Sequence, residues 1–439
     1  MNRAKTTAIH PAIGGASSRS LRVAVAAAAV CLFAGGDWLH FRGTDTNSVS
    51  EEKNLPVTID QHQNVAWKVP LVGRGPSSPI VVAGRVVITS ASGPKQERLH
   101  VLCFDAQTGE RQWERQLWAT GSTMCTEFGG VAAPTPASDG RLIIAFFSSN
   151  DLACFDLEGN LKWYRGLGYE RPSVRDDVGM ASSPLVLGRT VIVQLDTPGD
   201  SLVAGIDTDS GQTRWQIPRE KGAIWASPTV LRGKTRDEDI VLLQSRSRLT
   251  AHRPQTGELL WDYQASCHTI SSVTTCGNCV YLPAWGLHAL QYDAATRSAK
   301  LLWYHKDRFL SSDQSPVAYD GRVYAIQSKS ILSCGDATSG ERLWQLRLKG
   351  PIWATPVLAE NRLYCVNENG LVQVVALGEK GKLLGTSGLD ERMLASPAVA
   401  DGAIYFRSDE HLWKVDGGRG TGEGTWGKGP GARGKGAPQ

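Results

Sequence analysis

A unit of 40 to 57 residues recurs along this 439-residue chain, and a repeat of that length constrains the fold more than any motif within it. It shows most plainly in three segments, each running from a Ser-Pro step to a Trp: Ser78-Pro79 to Asp105-Ala-Gln-Thr-Gly-Glu-Arg-Gln-Trp113, Ser227-Pro228 to Arg253-Pro-Gln-Thr-Gly-Glu-Leu-Leu-Trp261, and Ser315-Pro316 to Asp336-Ala-Thr-Ser-Gly-Glu-Arg-Leu-Trp344. With the residue aligned to that proline as marker, the unit recurs at Pro79, Pro136, Pro184, Pro228, Ser272, Pro316, Pro356 and Pro397. Each unit holds four short apolar stretches separated by turn signals, as a meander of antiparallel strands requires. In the sixth these are Pro316 to Ala318, Val323 to Ile326, Ile331 to Cys334 and Arg342 to Trp344, with Asp320-Gly321 and Ser339-Gly340 at the first and third turns. Eight such units predict an all-β fold, an eight-bladed β-propeller.

The last unit lacks its fourth strand, because after Ser396-Pro397, Ala403 to Phe406 and His411 to Val415 the chain turns to glycine. Asn64 to Val69 carries the pattern of that missing strand around Trp67. Closure is therefore expected by pairing this N-terminal strand with the last blade, which removes the open sheet edge. The expected organisation is a leader over 1–36, an N-terminal strap outside the ring over 37–63, the propeller over 64–416 and a disordered Gly-rich basic tail over 417–439.

Charge bears on partners. The formal net charge is +4, but Arg3, Lys5, Arg19 and Arg22 stand in the leader without an acid, and Arg419, Lys428, Arg433 and Lys435 crowd the tail against Glu423 alone. The ring itself is acidic on balance, which argues against a phosphate-tracking groove and a nucleic-acid partner. Basic residues ahead of the apolar run Val23 to Ala34 read as an export signal, too short for a membrane span. Ala34 and Gly36 suit cleavage before Asp37; a lipid anchor at Cys31 is disfavoured by the bulky Val30 before it, and no twin-arginine pair is present. The expected location is the periplasm or the cell envelope.

The recurring Asp105-x-x-Thr-Gly-Glu-x-x-Trp113 resembles the tryptophan-docking repeat of quinoprotein-like propellers, a family that includes quinone-dependent alcohol dehydrogenases and BamB-type outer-membrane assembly lipoproteins. The resemblance covers roughly residues 64–416. A narrower likeness, Trp38-Leu-His-Phe-Arg-Gly43, Leu55-Pro56 and Gly73-Arg-Gly-Pro-Ser-Ser-Pro79, is to the opening of exported propellers of planctomycete-type bacteria. In the docking repeat the first position must be small, and here it is Cys103, Gly205, Ala251 or Cys334, with Cys154 in a unit one residue shorter. Cysteine in that slot is read as a small buried residue rather than a redox or metal group. Trp67, Trp113, Trp163, Trp215, Trp261, Trp303 and Trp344 are read as packing between blades rather than cofactor platforms.

The resemblance raises one enzyme class, dehydrogenation by pyrroloquinoline quinone with calcium, which it implies would need a channel acid and commonly an adjacent-cysteine disulfide. No Cys-Cys pair exists and no catalytic set can be assembled, so no cofactor, no metal and no catalytic residue are expected. Cys276-Gly-Asn-Cys279 falls in the first turn of blade five with no helix to lower a thiol pKa, leaving a disulfide across a hairpin or two free thiols. His268 and His288 fall in the same blade near the channel and are read as ordinary hydrogen-bonding residues. No Gly-x-Ser-x-Gly, His-Glu-x-x-His or phosphate-binding loop occurs.

Connectors carry the remaining signal. The second-to-third and fourth-to-first connectors share one face, and there the longest insertions are Thr89–Arg98, Glu114–Ala133, Tyr164–Ala181 and Asp196–Ser201, all from blades one to three. They hold Trp118, Phe128, Tyr169, Arg171, Arg175, Asp176 and Asp177, aromatic and arginine anchors with acids that suit an envelope protein partner. Surface drift is the alternative reading of the same insertions and stays open beside it. The function expected is a protein-binding or assembly scaffold in the cell envelope, with a quinone-linked enzyme or a non-catalytic ligand-binding propeller as the alternatives.

Overall fold

A computed structural model describes residues 36–306, 309 and 313–417. Apart from Gly36 and Gly417, the expected leader with its Cys31 and the expected tail lie outside the described residues. Eight antiparallel four-stranded sheets make the eight blades, seven of them with strands in plain sequence order. In the eighth, Val65–Pro70 pairs with His411–Asp416 outside Ala403–Arg407 and Ala398–Ala400, so the chain closes its own ring. No described helix is long and apolar enough to cross a membrane.

Burial follows each strand's distance from the axis. Second strands such as Leu142–Phe146 and Ile240–Gln244 are buried throughout, and third strands such as Asp151–Asp156 and Arg248–His252 at all but one end residue, sandwiched between neighbouring blades. Fourth strands lie at the rim and bury little more than one indole: in Leu259–Gln264 only Trp261 is buried, in Arg342–Arg347 only Trp344. Each indole stands opposite the small position of its own third strand, as in the pairs Cys103 with Trp113, Cys154 with Trp163 and Cys334 with Trp344. A Cβ at Gly205 would lie 2.1 Å from the Trp215 ring, which is why the slot admits only small side chains.

From there the indole reaches the next blade. Its Nε1 donates to a carbonyl of that blade's third turn, Trp113 to Leu157 at 2.9 Å, Trp163 to Thr208 at 2.7 Å, Trp215 to Pro254 at 2.9 Å and Trp303 to Ala337 at 3.0 Å. The ring lies on the turn glycine; at Gly257, with φ of +73°, a Cβ would come within 2.7 Å of Trp215. Two junctions depart from this scheme. Blade five has no turn glycine, and Trp261 packs on Tyr292 with its Nε1 unpaired. Blade seven has Gly385 where the Trp should be, and the strap fills the gap: the Val57 carbonyl lies 2.6 Å from where a Gly385 Cβ would sit, with Leu55 and Ile59 buried beside it.

At the axis a second set of contacts joins the blades. The backbone N–H of the Ser or Thr before each marker donates to the hydroxyl of the equivalent residue one blade on, from Ser78 through Thr135, Ser183, Ser227, Ser272, Ser315, Thr355 and Ser396 and back to Ser78, every link 2.9–3.1 Å. This circuit corrects the marker of blade five. Ser272 is its hydroxyl and the following strand begins at Thr274, so Val273, not Ser272, takes the proline position. Two adjacent serines left that register open in the sequence.

The strap does more than lie outside the ring. It crosses the channel mouth on the face of the first and third turns, with Trp38 paired to Val81 of blade one, Ser138 of blade two donating to the Leu39 carbonyl, Val230 of blade four donating to Thr46 and Leu358 of blade seven donating to the Ser48 carbonyl. Arg42 is buried on blade five, where its guanidinium donates to the Val273 carbonyl at 3.0 Å and the Thr274 hydroxyl at 2.7 Å. Burial pulls its pKa down to about 9 and that of His40 to about 4.

Two predictions follow from this packing. Deleting residues 1–70 removes both the strap and the closing strand and bares the edge of His411–Asp416; the truncated chain should self-associate and melt well below the full chain. Light scattering and a thermal melt check this, and an unaltered melt from a monomer would contradict it. Cys103, Cys154, Cys334 and Cys365 are fully buried, with burial pushing their thiol pKa up to about 12, and to about 11 for Cys334. They should resist thiol reagents at pH 8 until the protein unfolds, and Cys103→Ala should cost about 1–2 kcal/mol by a denaturant melt; rapid native labelling would contradict the packing role.

Candidate functional site

The channel is not an open pore. On the connector side of the hydroxyl circuit, the residue two places before each circuit residue forms a second ring, Pro76, Ala133, Ala181, Trp225, Ile270, Asp313, Trp353 and Leu394, and all eight line a chamber of about 290 Å³. Phe41 of the strap also lines it, as does Phe128, which stacks on Trp353 with ring centroids 5.5 Å apart. The Arg392 guanidinium lies 5.6 Å from the Phe128 ring. Trp225 is held by its Nε1, which donates to the Gly179 carbonyl at 2.7 Å. Sequence reasoning missed this ring, although Ile224-Trp225-Ala-Ser-Pro228 and Ile352-Trp353-Ala-Thr-Pro356 repeat the signal.

The chamber does not fit a quinone with calcium. Calcium takes six to eight oxygen ligands rich in carboxylates, and a carboxylated quinone wants cationic donors beside it. Among the described lining residues the only carboxylate is Asp313, and no lysine or arginine is present.

Above the chamber stand the two long connectors of blade two, fixed at their roots. Buried Asp151 accepts hydrogen bonds from the Thr120 N–H at 3.0 Å and from the hydroxyls of Thr120, Ser149 and Tyr164, each at 2.6 Å. Ser148 accepts from the Met180 N–H at 2.7 Å, and Asn150 Nδ2 donates to the Val174 carbonyl at 2.9 Å. The Thr126 N–H donates to the Val178 carbonyl at 3.2 Å, joining the two connectors. Between them runs an open pocket of about 500 Å³ lined by Thr120, Met124, Asn150, Tyr169 and Asp176.

The residues singled out in the sequence fall unevenly. Trp118 is not in a loop; it ends the strand Arg111–Trp118, is 59% exposed and has the Arg98 guanidinium 5.6 Å from its ring. Tyr169 is 79% exposed on the helical turn Leu167–Glu170, which the Arg165–Glu170 ion pair secures. Arg171 donates to Gln216 at 2.8 Å, and Arg175 pairs with Asp177 at 2.6 Å. Asp176 is no surface charge: it is buried, its Oδ1 accepts from the Val178 N–H at 2.9 Å, and burial raises its pKa. The insertions are also shorter than expected, because Arg85–Ser92 and Arg98–Asp105 extend as strands well into the first of them.

The blade-five residues are accounted for without chemistry. Cys276 and Cys279 face each other across the hairpin turn as free thiols. His268 accepts from the Ser271 N–H at 3.1 Å, and His288 bonds the Tyr263 hydroxyl at 3.0 Å and packs on Tyr304. Neither histidine lines the chamber.

Comparison with known proteins places this architecture. A family model described as outer membrane protein assembly factor BamB matches residues 22–193, 173–275, 291–381 and 328–429. The curated outer membrane protein assembly factor BamB of Escherichia coli (strain K12) is 29% identical over 116 residues, 26% of this chain and 29% of that protein, so the matched stretch spans under a third of the relative. The crystal structure of BamB from Moraxella catarrhalis superposes with a TM-score of 0.60 at 16% identity, over 82% of this chain and 99% of that one. Two enzymes share the fold at similar distance: a europium-containing methanol dehydrogenase (TM-score 0.63, 14% identity, 87% and 89% covered) and the quinohemoprotein alcohol dehydrogenase from Comamonas testosteroni (TM-score 0.64, 13% identity, 90% and 82% covered).

Proposed function

The chain belongs to the family described as outer membrane protein assembly factor BamB, and from that premise we propose that it is a protein-binding scaffold of the cell envelope that docks its partner on the connector face of blades one to three. The observation that carries this reading is the exposure of Trp118, Met124, Phe128, Tyr169 and Val178 along two anchored connectors and the strand end beside them. Large apolar side chains at such density, on a rigid base, serve a contact surface rather than the fold. The opposite mouth is crossed by the strap, which leaves the connector face as the one where the channel wall and the long loops meet. Arg171 and the Arg175–Asp177 pair add a polar rim, where charges set orientation more than affinity.

A dehydrogenase reading has the shared fold in its favour, but fold does not carry chemistry from one family member to another. The lone chamber carboxylate weighs against it.

Alanine replacement tests the docking surface. A partner captured from envelope extract by the full chain should lose about 2 kcal/mol of affinity, some thirtyfold, on Trp118→Ala or Tyr169→Ala, with the melt unchanged. Arg141→Ala and Asp209→Ala on the opposite face serve as controls and should leave capture intact. Equal capture by all four variants would remove the connectors from the interface.

A further inference from the structure

The chamber has a composition that the scaffold does not need and that the proposed docking surface shares only at Phe128 and Val178. Phe41, Phe128, Trp225 and Trp353 present four aromatic rings to a space of about 290 Å³, with Met180 among them. A core that only filled the axis would carry aliphatic side chains and leave no void; here the void persists and the rings line it. The second ring places Asp313 of blade six between Trp225 of blade four and Trp353 of blade seven. Asp313 forms no salt bridge to any described residue; it acts electrostatically on His268, whose pKa burial nonetheless holds below its ordinary value. Aromatic faces carry negative charge density, so a box of them attracts a cation, and a single carboxylate among them supplies a matching formal charge. The outer side of the same box already shows this preference, where the Arg392 guanidinium lies near Phe128.

We infer that the chamber binds a small organic ammonium ion, held among the rings of Trp225, Trp353 and Phe41, with Phe128 backing Trp353, and balanced by Asp313. A bare metal ion is a poorer occupant, because the wall offers one carboxylate and hydroxyls already engaged as acceptors in the circuit. An anion meets no cationic donor among the described lining residues. A neutral apolar molecule of the same size would fill the space but gain nothing from Asp313.

Choline and its neutral carbon isostere 3,3-dimethylbutan-1-ol have the same shape and differ in charge, so they separate these cases. Titration calorimetry on the full chain should show saturable binding of choline and at least tenfold weaker binding of the isostere. Asp313→Asn should weaken choline at least tenfold and leave the isostere unaffected, with an unchanged thermal melt. Trp225→Phe should retain most of the choline affinity and Trp225→Leu should lose most of it; should either fail to fold, the isostere and Asp313→Asn comparisons decide. Isostere binding as tight as choline, choline binding unaffected by Asp313→Asn, or no saturable choline binding would each overturn the inference. Capture of the protein partner by the Asp313→Asn variant should be normal, since Asp313 is not among the residues of the proposed docking surface, although Phe128 belongs to both.

Discussion

Eight backbone N–H groups near the axis have nowhere in their own sheets to go, and the molecule depends on how they are satisfied. Each donates to a Ser or Thr hydroxyl of the next blade, and the eighth returns to the first. The circuit residues are all buried, so a missing hydroxyl would strand a donor at about 1–3 kcal/mol. The contact also sets blade spacing at the narrow end, while the indole on the next blade's turn sets it at the wide end. A blade fixed at both ends has no freedom to slide, which is why short inner strands of three residues, such as Ile80–Val82, suffice.

Much of this was legible. Seven of the eight markers stand directly after a circuit residue, the docking repeat marked the rim, and Asn64 to Val69 marked closure, because each is a local pattern that recurs under the same physical demand; the hydroxyl circuit itself was not read. Elements without a repeat partner were not legible. Besides the nearby Thr46 carbonyl, Arg42 has hydrogen-bond partners more than 200 residues away, at Val273 and Thr274, and nothing near it in sequence indicates those contacts. Ser271 and Ser272 offered the same hydroxyl in two registers. Val57 replaces an absent indole with a backbone carbonyl, a substitution no side-chain pattern encodes. Asp176 read as a surface acid because burial in a connector depends on how two loops meet, here through Thr126 and Val178.

The rigid ring explains where binding is proposed. Asp151 fixes one connector root with four hydrogen bonds and Asn150 and Ser148 fix the other, so exposed Trp118 and Tyr169 ride on supports that do not have to be ordered at the moment of contact. Phe128 belongs to the same connector and stacks on Trp353 at the chamber wall. The chamber and the docking face therefore share one structural element.

Hydrogen exchange on the axial amides tests the closed circuit most directly. The N–H groups of Ser78, Thr135, Ser183, Ser227, Ser272, Ser315, Thr355 and Ser396 are each bonded across a blade boundary, so none can open without parting two blades. The account predicts that all eight exchange together, at the slow rate of global unfolding. Exchange of any one of them at the rate of the exposed connectors, in the native protein, would contradict it.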